Sequence, residues 1–283
     1  MRFLPIAATV AGAMTLLLIA CGPADRARFA LPDLTRLPPG EVTHQPPGEA
    51  LRNGYPVTPA PVTTRHPRGV AIMTRQVSQA EYAACVAAGA CKPLDAAHRK
   101  DASADLPATG ISWSDATAYA AWLSGSTGQR YRLPRYAEWI YAAGEAYLEE
   151  APPAALQDNG QAPNDPAQRW LAEYEQESRR SGQGAETAVR PFGQYGANAA
   201  GVKDMAGSVW DWTSDCHSRR VLDAGTGAES PEDADLSRNC GIRVAAGRHI
   251  AYLPDFIRDP KSGACSVGVP PANLGLRLVL EEG

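Results

Sequence analysis

Residues 240–277 read CGIRVAAGRHIAYLPDFIRDPKSGACSVGVPPANLGLR, a segment that crowds reactive side chains between glycines and prolines. A loop of this composition makes few regular hydrogen bonds of its own, so a folded body must hold it in place. Segments held in this way commonly carry chemistry or recognition. The reactive side chains are Cys240, His249, Tyr252, Asp255, Cys265 and the arginines Arg243, Arg248, Arg258 and Arg277.

The composition of the 283-residue chain favours a mixed fold with many turns. Its 26 glycines and 24 prolines exceed ordinary usage, and both residue types interrupt regular structure. The formal net charge of -4 gives no electrostatic footprint for nucleic acid. We therefore expect a loop-rich α+β fold that does not bind nucleic acid.

Residues 1–20 are organised like a secretory signal peptide. Arg2 precedes an apolar run that is shorter than the roughly 20 residues needed to span a bilayer. The sequence LIAC at 18–21 resembles a bacterial lipobox, in which cleavage leaves Cys21 as a lipidated N-terminus; an ordinary signal peptide or an uncleaved anchor is the alternative. Because Gly22 stands where an aspartate would favour inner-membrane retention, we expect a lipid anchor on the periplasmic side of the envelope, in the outer rather than the inner membrane.

Residues 21–67 are rich in proline and contain PPGE twice, at 38–41 and 46–49. This composition predicts a tether followed by strand-like pieces at the edge of the body. The folded domain is predicted to occupy residues 68–283.

Export places the cysteines in an oxidising compartment, where they can pair. Once the lipidated cysteine is set aside, five remain. Cys85 and Cys91 flank a predicted helix end and are close enough for a short disulfide. Cys216 and Cys240 flank a polar excursion, whose mouth a disulfide would close with a stabilisation of about 3 kcal/mol. This pairing leaves Cys265 as the free thiol.

Helix signals recur between these features. A capping box at 78–81 predicts a helix that runs to about residue 88, and a second helix follows Ser112 or Ser114. A third is predicted at 135–143, and Asp165 is the predicted N-cap of a fourth in a charged, solvated insertion. The aromatic residues of the first three helices are predicted to face the core.

Three blocks in order carry a family resemblance: VSQAEYAACVAAGAC, GISWSDATAYAAWLSGSTGQRYRLPRYAEWIYAAG and NAAGVKDMAGSVWDWTSDC, followed by RV and NLGLRLV. Over residues 71–281 the chain resembles the formylglycine-generating, sulfatase-modifying-factor family. The resemblance implies a single α+β domain related to C-type-lectin-like folds, with little regular structure and a surface cleft. The segments CGIRV, GRH, FIRD and NLGLR are most similar to the branch of exported accessory proteins encoded beside copper nitrite reductase.

The resemblance also implies where copper would bind. Family members oxidise a substrate cysteine to formylglycine with copper held by two cysteines shortly after an RV-x-x-GG-S element. That element is residues 243–249 here, and the two cysteine positions fall on Tyr252 and Ile257. Because a copper(I) site of this type needs thiolates, and Cys265 alone cannot supply two, we expect neither copper at this site nor formylglycine generation.

Structural calcium is a further implication of the resemblance. The family takes oxygen ligands from a Gly-Asn-x-Trp-Glu segment, which is residues 207–211 here. The candidate calcium ligands are Ser208, Val209 and Asp211. The alternative is that Asp211 accepts hydrogen bonds from backbone amides of its own loop.

Three functions follow from these observations. The preferred one is a lipid-anchored accessory or maturation factor for a periplasmic redox enzyme such as copper nitrite reductase. The second is a metal-dependent oxidoreductase in which His249, Tyr252 and Cys265 form a new site and Arg258 positions a polar substrate. In this second case the plainer interpretation is a hydrogen-bonded structural histidine and an arginine that fixes its loop by an ion pair. The third is a non-catalytic binding module.

Overall fold

A computed structural model describes residues 31–99, 102–147, 187–222, 235–262 and 270–282, together with helical residues at 167–168, 170–172, 174–175 and 178. The helices are α1 (Gln79–Ala87), α2 (Trp113–Thr127) and α3 (Tyr136–Ala143). The strands are β1 (Leu34–Leu37), β2 (Gly40–His44), β3 (Glu49–Arg52), β4 (Tyr55–Val57), β5 (Val62–His66), β6 (Val70–Met73), β7 (Tyr131–Arg132), β8 (Val209–Val221), β9 (Asp235–Ala246), β10 (Ala251–Pro254), β11 (Asn273–Gly275) and β12 (Val279–Leu280). Short strands, short helices and long connections confirm the loop-rich α+β class that the composition predicts.

Three sheets organise these strands. A four-stranded antiparallel sheet has the order β1-β6-β12-β7, and β2 pairs with β5 in a separate two-stranded sheet. The third sheet has the order β10-β9-β8-β3-β4, with β11 also hydrogen-bonded to β8.

The long strand β8 organises the third sheet. Its first residues pair in parallel with β11, where Asn273 lies opposite Val209. Its last residues pair in parallel with β3, where Glu49 lies opposite Arg219. Antiparallel pairing with β9 runs along its other side, with register shifts on both sides of Cys216. One strand therefore joins the N-terminal segment, the C-terminal segment and the reactive stretch.

The proline-rich segment is more structured than its composition suggests. Strand formation begins at Leu34, well before the domain start at residue 68 that the sequence predicts. The prolines at 38–39 and 46–47 fall in the turns between β1, β2 and β3, where a missing N–H costs no ladder hydrogen bond. Strands β1 and β4 do lie at sheet edges, as expected, but β3 lies between β4 and β8.

The helix starts agree closely with the capping signals. Ser78 caps α1 through the backbone N–H of Glu81, and Ser112, rather than Ser114, caps α2 through Asp115. Helix α2 ends at Gly128, whose φ of 74° is in the left-handed region that glycine adopts without strain. The predicted N-cap Asp165 lies outside the described residues.

Two large clusters form the core between the sheets and the helices. The first contains Tyr82, Tyr119, Trp210 and Trp212, and the second is built around Tyr136 and Trp139. The tryptophans of α3 and β8 are therefore core residues. Among the residues that the structure describes, no helix is both long enough and apolar enough to span a membrane.

Both predicted disulfides are present. Cys85 bonds to Cys91 with a Cα–Cα distance of 5.3 Å, and Cys216 bonds to Cys240 with a Cα–Cα distance of 4.6 Å. The signal peptide, Cys21 and Cys265 lie outside the described residues, so lipidation and the state of the fifth thiol stay predictions.

Candidate functional site

The candidate site follows the hairpin of β9 and β10 and the turn after it. Strand β10 pairs antiparallel with β9, and Tyr252 lies opposite Val244. Side chains alternate between the faces of a strand, so Ala251 and Leu253 enter the first core cluster while Tyr252 packs against the second. The hairpin therefore lies between the two clusters, and successive residues of β10 contact different clusters.

Tyr252 is held by the N-terminal segment. Its phenol oxygen accepts a hydrogen bond from the backbone N–H of Gly48 at 2.7 Å. The His217 ring meets the Tyr252 ring edge-on, with ring centres 5.1 Å apart, and burial lowers the pKa of His217 below its ordinary value. The phenol is thus fixed by a backbone amide and packs against an imidazole whose charged form burial disfavours.

Ile257 lies in the turn that follows β10. Its backbone N–H donates to the carbonyl of Pro254 at 3.1 Å, and its side chain packs against the first core cluster. Tyr252 and Ile257, the two positions that the resemblance assigns to copper thiolates, are therefore a hydrogen-bonded phenol and a packed alkyl group in contact with different clusters. These residues do not fit a bis-thiolate copper site.

Arg258 clamps the turn onto helix α2. Its Nε and Nη2 donate to the two carboxylate oxygens of Asp115 at 2.8 and 2.9 Å, and Nη1 donates to the carbonyl of Pro93 and the carboxylate of Asp95. Burial raises the pKa of Asp115, but hydrogen bonds from Arg258 and Ser112 lower it more, and the net shift is downward. The structure thus uses Arg258 as a bidentate ion-pair partner that fixes a loop.

His249 packs against Trp210. Its ring contacts the Trp210 ring edge-on at 5.0 Å between centres, and its carbonyl accepts from Trp210 Nε1 at 2.8 Å. Trp210 belongs to the first cluster, whereas Tyr252 packs against the second. The contacts described for His249 are therefore with Trp210, whereas those of Tyr252 are with Gly48 and His217. Cys265, the third candidate, lies outside the described residues.

The proposed calcium ligands are engaged differently. Ser208 donates its hydroxyl to the carbonyl of Ala188 at 2.7 Å. The fully buried Asp211 carboxylate accepts from Arg277 Nε at 2.6 Å and from Trp139 Nε1 at 2.9 Å. Because a guanidinium already meets the charge of Asp211, these side chains do not fit a calcium ion.

Asp211 also departs from the alternative that the sequence suggested. Its partners are side chains of α3 and of the C-terminal segment, rather than backbone amides of its own loop. Within the described part of the chain, no group of three or more His, Cys, Asp and Glu side chains is placed to hold a metal ion.

Sequence reasoning missed a cluster built around Arg243. The guanidinium lies over the Trp113 ring, with 3.6 Å from Cζ to the ring centre. Its Nη1 donates to Cys216 Sγ at 3.1 Å, and its buried Nε has no hydrogen-bond partner among the described residues. Burial lowers the pKa of Arg243, against the raising effect of Asp255 and Asp215. Regular strand geometry does not predict this cluster. Cys240 and Arg243 are three residues apart and would face opposite sides of a regular strand, so they share a side only if a bulge intervenes.

Backbone hydrogen bonds connect this cluster to the turn after β10. The Asp255 N–H donates to the carbonyl of Gly241 at 3.1 Å, and the Asp255 carbonyl accepts from the N–H of Ser114 at 3.2 Å. Asp255 therefore bridges the residue after Cys240 and the residue after Trp113. The disulfide, the stacked arginine and the turn form one connected unit, which we call the Arg243 cluster.

Comparison with known proteins was made on sequence and on fold. Residues 22–282 match the sulfatase-modifying factor enzyme 1-like domain. The chain is 30% identical over 180 residues to the formylglycine-generating enzyme of Streptomyces coelicolor, covering 60% of this chain and 51% of the relative. It is 28% identical over 175 residues to the inactive C-alpha-formylglycine-generating enzyme 2 of Bos taurus, covering 60% and 54%.

A third relative is the hercynine oxygenase of Mycobacterium tuberculosis, at 32% identity over 119 residues, which covers 41% of this chain and 24% of the relative. The chain thus spans about half the length, or less, of the curated relatives it matches. Among solved structures, PvdO from Pseudomonas aeruginosa matches with a TM-score of 0.54 and 22% identity, covering 89% of this chain and 95% of that chain. At this identity the likeness shows a shared fold.

Proposed function

The chain belongs to the sulfatase-modifying factor enzyme 1-like family, and we propose that it is a member without copper-thiolate chemistry that serves a redox enzyme as an accessory or maturation factor. The supporting observation is the identity and environment of the two side chains at the positions where the family has its copper-binding cysteines. Tyr252 is bonded to Gly48, and Ile257 is packed into the first core cluster. Neither side chain offers a soft donor, and the two contact different clusters.

The proposed location of this activity is the periplasmic side of the cell envelope. The lipobox at 18–21 supports an anchor there, and the two disulfides are of a kind that persists in oxidising compartments. The proposed partner is a copper nitrite reductase or a similar periplasmic redox enzyme, on the strength of the CGIRV, GRH, FIRD and NLGLR segments. An oxidoreductase that uses His249 and Tyr252 together gains no support from their separate contacts.

A direct chemical test uses the purified chain with copper(I) and a cysteine peptide from a sulfatase. We expect no stoichiometric copper after dialysis against a chelator, and no aldehyde on the peptide by mass spectrometry. The formylglycine-generating enzyme of Streptomyces coelicolor serves as the positive control under the same conditions. Bound copper together with aldehyde product would overturn the non-copper assignment.

The partner is tested by deleting the gene in a host that also carries copper nitrite reductase. We expect periplasmic extracts of the deletion strain to contain reductase with less copper and lower activity, and the parent gene to restore both. A Cys21→Ser version made with the same signal peptide tests whether anchoring matters to that restoration. Unchanged copper content and activity in the deletion strain would remove nitrite reductase as the partner.

A further inference from the structure

The Cys216–Cys240 disulfide differs from its counterpart in exposure and in local pairing. Cys240 is exposed and Cys216 is half-buried, whereas Cys85 and Cys91 are 0% and 8% exposed. The bond joins β8 to β9 where the ladder register shifts on both sides of Cys216. A bulge interrupts regular ladder hydrogen bonding, so fewer backbone contacts reinforce the bond here.

Arg243 gives the two sulfurs unequal roles. It lies opposite Cys216 in the β8–β9 register, and its Nη1 donates to Cys216 Sγ at 3.1 Å. The stack on Trp113, whose indole N–H is fixed by the carbonyl of Thr213 at 2.9 Å, holds the guanidinium in place. A cation beside a sulfur stabilises its thiolate, so Cys216 is the better leaving group and the exposed Cys240 is the sulfur open to attack.

We propose that Cys216–Cys240 is an exchangeable redox disulfide whose partner is a dithiol protein of the thiol–disulfide oxidoreductase class. The geometry that carries this proposal is the exposure of residue Cys240 together with an arginine bonded to the departing Cys216 sulfur. This activity goes beyond the proposed accessory function and does not depend on it.

The exchange is balanced in two steps. A thiolate of the partner forms a bond with Cys240 Sγ while the Cys216–Cys240 bond breaks, and the bonding electron pair goes to Cys216 as a thiolate beside Arg243. The second thiolate of the partner then attacks the partner's own first sulfur and releases Cys240 as a thiolate. The chain gains two electrons, the partner dithiol becomes a disulfide, and the two thiol protons of the partner pass through solvent to the released cysteines.

Reduction has a structural consequence at the candidate site. Asp255 is hydrogen-bonded to Gly241, the residue after Cys240, and to Ser114, at the start of α2. Opening the disulfide removes the covalent link between β8 and the middle of β9, where Gly241 lies. The turn that carries Ile257 and Arg258 is thereby linked to the redox state of the two cysteines.

The first test compares the two disulfides within the same molecule. The full chain is incubated without denaturant in dithiothreitol, then in thioredoxin as a dithiol protein, and each cysteine is scored by differential alkylation and mass spectrometry. We expect Cys216 and Cys240 to be alkylated at least about tenfold faster than Cys85 and Cys91 with both reagents. Equal rates, or earlier reduction of Cys85–Cys91, would overturn the proposal.

The second test isolates the arginine. Arg243→Gln removes the cation beside Cys216, and we expect reduction to become about fivefold slower. The matched control is Arg248→Gln, since Arg248 is exposed and bonds the carbonyl of Ala206, away from the disulfide; its rate should match the parent. A purely structural role for Arg243 predicts the opposite sign, because a loosened hairpin exposes the bond and speeds its reduction. An unchanged or faster rate in Arg243→Gln would therefore contradict the proposal.

Discussion

At the scale of single residues, the most buried ionic interaction joins Asp211 and Arg277. Asp211 of β8 meets Arg277 Nε at 2.6 Å, and both residues are 0% exposed. Trp139 donates to the same carboxylate oxygen and Arg277 Nη2 donates to the carbonyl of Lys203, while Asp211 Oδ1 and Arg277 Nη1 have no partner among the described residues. Removing two charges from water is costly, so the pair is stable only while both members are present.

Arg277→Met should therefore lower the free energy of unfolding by about 3–5 kcal/mol, because it leaves an uncompensated buried carboxylate. Urea unfolding followed by circular dichroism measures the change. The double variant Asp211→Leu with Arg277→Met should recover part of the loss, since it removes the stranded charge as well. Arg130→Met is the surface control, because Arg130 is 84% exposed beside Glu281 and such pairs contribute at most about 1 kcal/mol. A loss in Arg277→Met no larger than in Arg130→Met would contradict this account.

At the scale of elements, one arrangement recurs at the three helices. In each of α1, α2 and α3 the acidic third residue accepts a hydrogen bond from the N-cap backbone N–H and also binds an arginine outside the helix; Ser78 and Ser112 complete a capping box with their hydroxyls, whereas Arg135 of α3 has no acceptor side chain. The pairs are Glu81 with Arg75, Asp115 with Arg258, and Glu138 with Arg132. The carboxylate thus accepts from the helix N-terminus and holds the helix against a strand or turn.

This arrangement predicts acid sensitivity with a definite sign. For Glu138, burial raises the pKa, but hydrogen bonds from Arg132 and from the Arg135 backbone lower it more, and Glu81 and Asp115 shift in the same direction. A carboxyl whose folded pKa lies below its unfolded value contributes stability above the unfolded value, about pH 4, and loses it as pH falls through the folded value. The free energy of unfolding should therefore decline below about pH 4.

Glu138→Gln should make that decline shallower and should cost about 1 kcal/mol or more at pH 7 through the weakened cap. Urea titrations of the parent and the variant at several pH values between neutral and strongly acidic measure both effects. Asp215 acts with the opposite sign, because burial raises its pKa; the charge of Glu138 adds a smaller raising effect, which the variant removes. Glu41→Gln is the control on the exposed side of β2, and its pH profile should parallel that of the parent. Parallel profiles for Glu138→Gln would exclude the proposed role of the caps.

At the scale of the whole molecule, local signals predicted more than long-range ones. The capping boxes at Ser78 and Ser112 set helix starts that the structure reproduces, because a cap is decided within four residues. Both disulfides followed from cysteine spacing. The Asp211–Arg277 pair could not be predicted in this way, because its two residues are 66 positions apart and meet only through the parallel pairing of β8 with β11.

The N-terminal segment also depends on contacts that are distant in the sequence. Its composition predicted a tether followed by strand-like pieces at the edge of the body, but not the partners of those strands, which lie far along the chain, as β8 does for β3. The candidate site that the sequence predicts falls on β9, β10 and the following turn. The contacts of His249 with Trp210 and of Tyr252 with Gly48 could not be predicted, because each joins residues that are far apart along the chain.

The docking of that N-terminal segment can be tested at Gly48. Its φ is 109°, and an added Cβ would lie 2.1 Å from the carbonyl oxygen of Ser218, while its N–H holds the phenol of Tyr252. Gly48→Ala should therefore be destabilised both by backbone strain and by a clash with β8, at about 2–4 kcal/mol, and thermal unfolding should fall by several degrees. Gly54→Ala is the matched control, because Gly54 has a φ of 78° but nothing within 4 Å of an added Cβ, so only strain of about 1 kcal/mol applies.

If residues 31–67 were a loose tether, the two variants would unfold at the same temperature as each other, and tyrosine fluorescence would show no change at Tyr252. A larger loss in Gly48→Ala instead makes the N-terminal segment part of the cooperative unit that holds the candidate site, because the strand it would displace is the one that carries Cys216 and His217.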